Sequence, residues 1–189
     1  MLKKKQIIKI PNEIEVFYSK KRKMIIFKGS KGKKSLKIND LLTIYCTELQ
    51  IEIITNPTKK LSNSDKRKIR LIKNTTASLI KQILIEVTAL MYQKLKLVGV
   101  GYRAFPVENF ENHLLLLRLG YSHPIYFRIP QKTEIFSLKL TKLFLYGYSY
   151  QQLTSTTSKL RLNKVPEPYK GKGILYENEN IILKEGKKV

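Results

Sequence analysis

The spacing of apolar residues changes twice along this chain, and those changes restrict it to a narrow set of folds. Short β-branched and aromatic runs at residues 14–18, 24–28, 36–38, 41–45 and 50–54 are separated by turn chemistry: the charged tip 19–23, Gly29-Ser30-Lys31-Gly32, Asn39-Asp40 and the stretch before Asn56-Pro57. Runs of that length with such boundaries predict strands, the first two forming a hairpin. From about Ser64 the period lengthens from two to nearly four. Ile69, Ile72, Leu79, Ile83, Val87 and Leu90, with Thr76 in the gap, fall on one face of a helix. Ser62, Asn63 and Ser64 are each competent to cap it, and Asp65 suits the positive end of its dipole.

The same order then repeats. Strand runs near residues 95–105, 113–120, 124–129, 133–137 and 142–146 lead into a second helix from Ser149, where Ser149 and Gln152 have capping-box spacing and Leu153, Thr157 and Leu160 make the inner face. A small sheet cannot bury its apolar face alone, and a helix laid on each set closes a core. The expected fold is α+β: a tandem duplication of a small antiparallel sheet packed with one helix, followed by an extended C-terminal tail. The repeats are assigned to residues 1–92 and 93–164, and the tail to 165–189. The tail opens with Val165-Pro166-Glu167-Pro168-Tyr169-Lys170-Gly171-Lys172-Gly173. Prolines without an N–H and glycines that lose entropy on ordering exclude helix and central strand there, so a partner is expected to order it.

Charge indicates the class of that partner. Lys and Arg number 37 against 14 Asp and Glu, a net charge of +23. Such a chain repels itself and calls for a polyanion. Lys, Ile, Asn, Tyr and Phe are all abundant, as AT-rich coding produces, but that bias does not by itself deplete the carboxylates, so nucleic acid is the better account. Much of the excess sits at loop tips of the first half: Lys20, Lys21, Arg22 and Lys23, then Lys31, Lys33 and Lys34, then the lysines of 59–68. Those at 20–23 and 31–34 are candidates for contacts with nucleic acid or an acidic protein neighbour.

Cys46 is the one cysteine and His113 and His123 are the two histidines, which excludes an internal disulfide and leaves no ligand set for zinc. No apolar run approaches the roughly 20 residues of a membrane-spanning helix, so membrane insertion is not expected. Lys3, Lys4 and Lys5 imitate the start of a signal peptide, but Pro11 and Asn12 cut the apolar stretch too early. Neither a cofactor nor a small-molecule substrate is indicated. Gly99-Val100-Gly101 lacks the third glycine and following helix of a dinucleotide loop, since Tyr102-Arg103-Ala104-Phe105 runs into Pro106. Tyr121-Ser122-His123 places a hydroxyl beside an imidazole, yet strand neighbours point to opposite faces and make no nucleophile and base; Tyr121 is expected to be packed or hydrogen-bonded at a turn. Glu108 and Glu111 belong to a surface loop, and Cys46 to an apolar strand.

Three motifs of the second half carry a resemblance. Leu97-Val98-Gly99-Val100-Gly101-Tyr102-Arg103-Ala104, Leu119-Gly120-Tyr121-Ser122-His123-Pro124 and Pro166-Glu167-Pro168-Tyr169-Lys170-Gly171-Lys172-Gly173-Ile174, followed by Lys184-Glu185-Gly186-Lys187-Lys188, resemble the universal large-subunit ribosomal protein six in its bacterial and organellar form. Ile10-Pro11, Lys28-Gly29-Ser30-Lys31-Gly32 and Asn74-Thr75-Thr76 extend the match through the first half. The chain departs from the family's usual Lys-Gly-x-Asp-Lys-Gln, having Tyr146-Gly147-Tyr148-Ser149-Tyr150-Gln151, and has Ala77 where an Arg is common.

The resemblance implies a duplicated sheet-plus-helix protein without enzymatic activity. It implies a structural constituent of the large ribosomal subunit, bound to rRNA near the sarcin-ricin loop and the stalk base beside neighbouring ribosomal proteins. The rRNA contacts it implies involve Arg103, Lys159, Lys164, Tyr169, Lys170, Gly171, Lys172, Gly173, Lys184, Lys187 and Lys188. In the tail motif, glycines admit backbone N–H groups to phosphates, lysines neutralise charge and Tyr169 stacks on a base or covers a sugar. AT-driven composition, with a start that runs straight into the family's first strand, points to synthesis inside an organelle. The expected location is the mitochondrial matrix and its ribosome, ahead of a plastid or a bacterial cytoplasm.

Overall fold

A computed structural model describes residues 5–55, 62–107, 113–131 and 133–186, and the chain forms two compact units, Met1–Leu90 and Met91–Val189. In the first unit β1 (Gln6–Lys9), β5 (Leu42–Cys46) and β6 (Gln50–Thr55) form an antiparallel sheet in the order β1-β6-β5. A meander forms from β2 (Glu15–Ser19), β3 (Met24–Gly29) and β4 (Gly32–Lys37). Period-two alternation sends Ile25 and Phe27 of β3, Ile44 of β5 and Ile51 and Ile53 of β6 inward, where they meet α1 (Asn63–Thr88) in one core.

The inner stripe of α1 is Ile69, Thr76, Ala77, Ile80, Ile83, Leu84 and Val87. Ile72 packs at its margin, but Leu79 is 43% exposed and Leu90 lies beyond the helix, 39% exposed. At 3.6 residues per turn Leu79 lies about 80° from the line through Ile69, Ile80 and Val87, so the expected face is rotated from the observed one. Gly29 is required where this helix ends: a Cβ there would stand 2.9 Å from the Val87 carbonyl oxygen, which accepts a bond from the Lys31 N–H at 3.0 Å. Ser62 is the N-cap, although its side chain makes no capping bond, and Asp65 is in the first turn.

The second unit contains β7 (Met91–Val98), β8 (Arg103–Pro106), β9 (Leu114–Arg118), β10 (Ile125–Arg128), β11 (Thr133–Lys139), β12 (Lys142–Gly147), α2 (Tyr150–Leu162) and β13 (Gly173–Tyr176). They form a four-stranded sheet in the order β11-β12-β7-β13 and a three-stranded one in the order β10-β9-β8, all antiparallel. Leu153, Thr157 and Leu160 of α2 are fully buried, as the pattern predicts, against a core that includes Leu95, Leu143, Leu145 and Ile174. Two local expectations are corrected. Ser149 is the N-cap, but its side chain makes no capping hydrogen bond, so the Ser-x-x-Gln box does not close. The run 95–105 is not one strand: the chain turns at 99–102, with Gly99 and Gly101 at φ +154° and +75°, and re-enters as β8.

The segment read as a tail is extended, yet the chain's own sheet orders part of it. β13 adds to the edge of β7, with Gly173 opposite Val98 and Tyr176 opposite Leu95. The reason is burial: Ile174 is wholly inaccessible and Leu175 is 9% exposed. Ahead of it Glu167 N–H donates to the Lys172 carbonyl at 2.9 Å and Gly171 N–H to the Glu167 carbonyl at 2.8 Å, so the residues between the prolines and the strand close a turn. Farther on, the Lys184 N–H donates to the Pro168 carbonyl at 3.0 Å. Among the described residues no helix is long and apolar enough to cross a membrane, and no three metal-ligating side chains cluster.

Candidate nucleic-acid interface

Three sequence motifs far apart in the chain meet in the second unit. Tyr102, 8% exposed, is held between two glycines: a Cβ at Gly99 would lie 2.8 Å from its ring and one at Gly120 would lie 3.0 Å away. Gly120 leads into Tyr121, whose hydroxyl donates to the Asn163 carbonyl at 3.2 Å and whose ring stacks on His123 at 6.0 Å. Tyr121 therefore has the turn hydrogen bond expected of it. Lys164 Nζ sits 4.1 Å above that ring, a cation–π contact, while the Lys164 carbonyl accepts from Ile174 N–H at 2.9 Å. Gly173, opposite Val98 in β7, completes the circuit back to Gly99.

Around this junction Tyr169 and Lys170 are exposed at the tip of the turn, Lys184 is exposed beyond it, and Lys159 is exposed on α2. Lys172 and Gly171 are half-buried and Gly173 is buried. The two glycines serve the fold. Gly171 has φ +66° and its N–H is engaged by Glu167; a Cβ at Gly173 would stand 2.6 Å from Pro166 Cα. Lys187 and Lys188 lie outside the described residues. Arg161 Nη2 bonds Glu179 at 2.6 Å, and this bond, before the backbone N–H of Tyr176, holds the Glu179 carboxyl below the usual carboxylate range. This pair ties the end of β13 to α2.

Arg103 stands elsewhere, on the outer face of β8. Strand register places it directly opposite Arg118 of β9, and Arg128 of β10 shares the three-stranded sheet; all three are exposed. Like charges facing across a ladder destabilise it unless an anion lies over them. Arg118 and Arg128 escaped the motif reading because each is a lone cation in an apolar run. Register is the signal that sets Arg118 against Arg103, while Arg128 lies opposite Leu114 at the other end of β9.

The first unit spends part of its charge internally. Lys23, at φ +47°, pairs with Asp40 at 2.5 Å, and that hydrogen bond lowers the Asp40 pKa. Lys34 pairs with Glu86, which is 4% exposed and also accepts from Gln82 at 2.8 Å. Lys20, Lys21 and Arg22 at the β2–β3 tip, and Lys31 and Lys33 at the β3–β4 turn, remain exposed. Residues 59 and 60 lie outside the described residues, and Lys66, Arg67 and Lys68 are exposed on the first turns of α1. Glu108 and Glu111 also fall outside them, and Cys46 is half-buried against the core, where burial pushes its thiol up.

A duplicated α+β chain with arginines opposed across a sheet and a lysine seated over a tyrosine defines the class: a basic protein with its cations displayed for a polyanion. Comparison with known proteins makes the kinship specific. The chain is similar to large ribosomal subunit protein uL6 of Persephonella marina, 36% identical over 185 residues, which is 98% of this chain and 96% of the relative. It is similar to the uL6 proteins of Staphylococcus carnosus, 34% identical over 97% of this chain and 96% of the relative, and of Mycoplasmoides gallisepticum, 32% identical over 96% and 93%. No protein-family model matches. With such identity along nearly its whole length, the chain belongs to the uL6 family of large ribosomal subunit proteins.

Proposed function

We propose that this chain is a structural constituent of the large ribosomal subunit. It binds rRNA near the sarcin-ricin loop and the stalk base, touches neighbouring ribosomal proteins there, and supports assembly and translation without catalysing a reaction. The observation that carries this reading is near full-length kinship with proteins named as large-subunit components. The junction of Tyr121, Lys164 and the Tyr169–Lys170 turn, with the arginines of β8, β9 and β10, supplies the surface. Lysines and arginines there neutralise phosphates, and Tyr169, 54% exposed, has a ring free to cover a sugar or base. The exposed cations of the first unit, Lys20, Lys21, Arg22, Lys31 and Lys33, offer further contacts for rRNA or for an acidic neighbour.

Gradient sedimentation tests the reading: the chain co-sediments with large subunits, and its affinity for large-subunit rRNA falls steeply with salt, by about 0.9 in log–log slope per phosphate neutralised on duplex. Deleting residues 166–189 also removes β13, so charge reversal at Lys164, Lys170 and Arg103 is the cleaner variant. It should weaken incorporation more than the same change at Lys20, Lys21 and Arg22. Equal incorporation of both variants overturns the site assignment.

The compartment is the finer part of the proposal. Abundant Lys, Ile, Asn, Tyr and Phe support an organellar origin, with the mitochondrial ribosome ahead of a plastid or bacterial one. The relatives named above are bacterial. Immunoblotting of fractionated native cells decides: enrichment outside mitochondria overturns the mitochondrial assignment and leaves the ribosomal one intact.

A further inference from the structure

The four-stranded sheet has α2 on one face. On the other, alternation turns Phe136 of β11, Phe144 and Tyr146 of β12 and Tyr92 of β7 outward, since Ile135, Leu143, Leu145 and Leu95 between them point into the core. These rings form a continuous cluster across three strands, Phe136 opposite Phe144 and Tyr92 opposite Tyr146. Phe136 and Tyr146 are 5.4 Å apart and inclined by 2°, Tyr146 and Phe144 are 6.2 Å apart, and Phe144 and Tyr92 are 5.5 Å apart and inclined by 23°. Tyr92 is 63% and Phe136 51% exposed. Lys94 Nζ lies 5.9 Å from the Tyr92 centroid, and Lys96 and Lys142 face each other in the next row of the same surface.

We propose that this sheet face is a stacking platform for unpaired rRNA bases, with Tyr92, Phe136, Phe144 and Tyr146 as the stacking rings and Lys94, Lys96 and Lys142 alongside the backbone phosphates. The inference rests on the RNA-binding reading above and assigns it a second surface and a single-stranded target. Exposed rings on a sheet backed by a helix offer aromatic surface on which bases stack, and every base has a π-face, so the contact needs no sequence code. Charge favours RNA over an apolar protein segment. The strands contribute four lysines to this face, Lys94, Lys96, Lys142 and, opposite Lys142, Lys139, against one carboxylate, Glu134, which accepts from the Tyr146 hydroxyl and fixes that ring. Glu177, just past β13, pairs with Lys94 at 3.3 Å, and its carbonyl accepts from Lys96 at 2.8 Å. Such half-exposed pairs are weak enough for a phosphate to displace. Cross-strand aromatic pairs also stabilise a sheet by themselves, so the test separates that role from stacking.

The test uses the full chain and two fluorescein-labelled probes, an oligouridine of about ten nucleotides, spanning the platform, and a duplex RNA of equal length. Replacing Tyr92, Phe136 and Tyr146 together by Thr retains β propensity and should cost roughly tenfold or more in oligouridine affinity per base unstacked. Duplex affinity and its salt slope should stay unchanged. The ring-preserving variant, Tyr92→Phe with Tyr146→Phe, should bind both probes as the parent does, which answers the objection that the Thr variant has merely lost its fold. Equal loss for both probes in the Thr variant, no loss for oligouridine, or lost ribosomal incorporation with oligouridine binding intact would each overturn the platform, the last in favour of a protein partner. A parent chain that binds duplex but not oligouridine overturns the platform alone. One that binds neither probe nor large-subunit rRNA overturns the RNA-binding reading as well.

Discussion

Arg103 of β8 faces Arg118 of β9 across an antiparallel pair, both exposed, with Arg128 on the neighbouring strand. Two positive charges in register oppose folding of the free protein and favour its complex with an anion. Arg118→Thr should therefore raise stability in urea by about 0.5 kcal/mol at low salt, with the gain shrinking as salt screens the repulsion, while weakening rRNA binding. A loss of stability in the free variant would show that the opposition is not felt.

Gly173→Ala puts a methyl 2.6 Å from Pro166 Cα, at a backbone φ of +154°. Pro166 Cα and the Lys164 carbonyl oxygen, 3.0 Å away, are both backbone atoms that cannot swing aside, so β13 should loosen, at a cost of about 2 kcal/mol or more. Hydrogen exchange at Ile174 and Leu175 reads this directly. Gly101→Ala, where φ is +75° but the space is open, should cost only roughly 1 kcal/mol.

Lys34 belongs to the fold of the first unit, because its ammonium pairs with the buried Glu86 carboxylate. Lys34→Met leaves that carboxylate with the Gln82 amide but without the cation, and stability should drop by about 2 kcal/mol, discounted from a fully buried pair because Gln82 still donates. Adding Glu86→Gln should restore part of the loss. The salt slope of RNA binding should not move in either variant.

The Glu179 carboxyl is held below its ordinary range by Arg161. A carboxylate whose folded pKa is depressed contributes stability that is complete above the unfolded value and is lost as pH falls through the lower folded one. Acid unfolding should accordingly show a component in that window, detected as detachment of β13 by amide exchange. Arg161→Met should remove it while leaving stability near neutrality lower by at most about 1 kcal/mol, since both partners are partly solvated.

Much of the architecture was legible in the order of residues because it is local. Period-two runs and Gly or Asn breaks mark β2, β3, β5, β6, β9, β10 and β12, and the longer period marks both helices. The failures are equally physical. Leu79 matches a helical period by spacing alone, but the sheet beneath α1 selects the stripe centred on Ile80, and a capping box needs side-chain geometry that Ser149 does not adopt.

Of the candidate site, residue types and motifs could be read from the chain: Arg103, Lys164, Tyr169 and Lys170 follow from charge and resemblance. Their grouping could not, because it depends on contacts between residues distant in sequence. Folding brings Lys164 over Tyr121, Gly173 against β7, Arg118 opposite Arg103 and four rings into one cluster. Alternation and composition are properties of neighbours along the backbone and survive in the linear order. Which cations are consumed by carboxylates, and which are left facing outward, is decided only when strand register and helix packing set the distances.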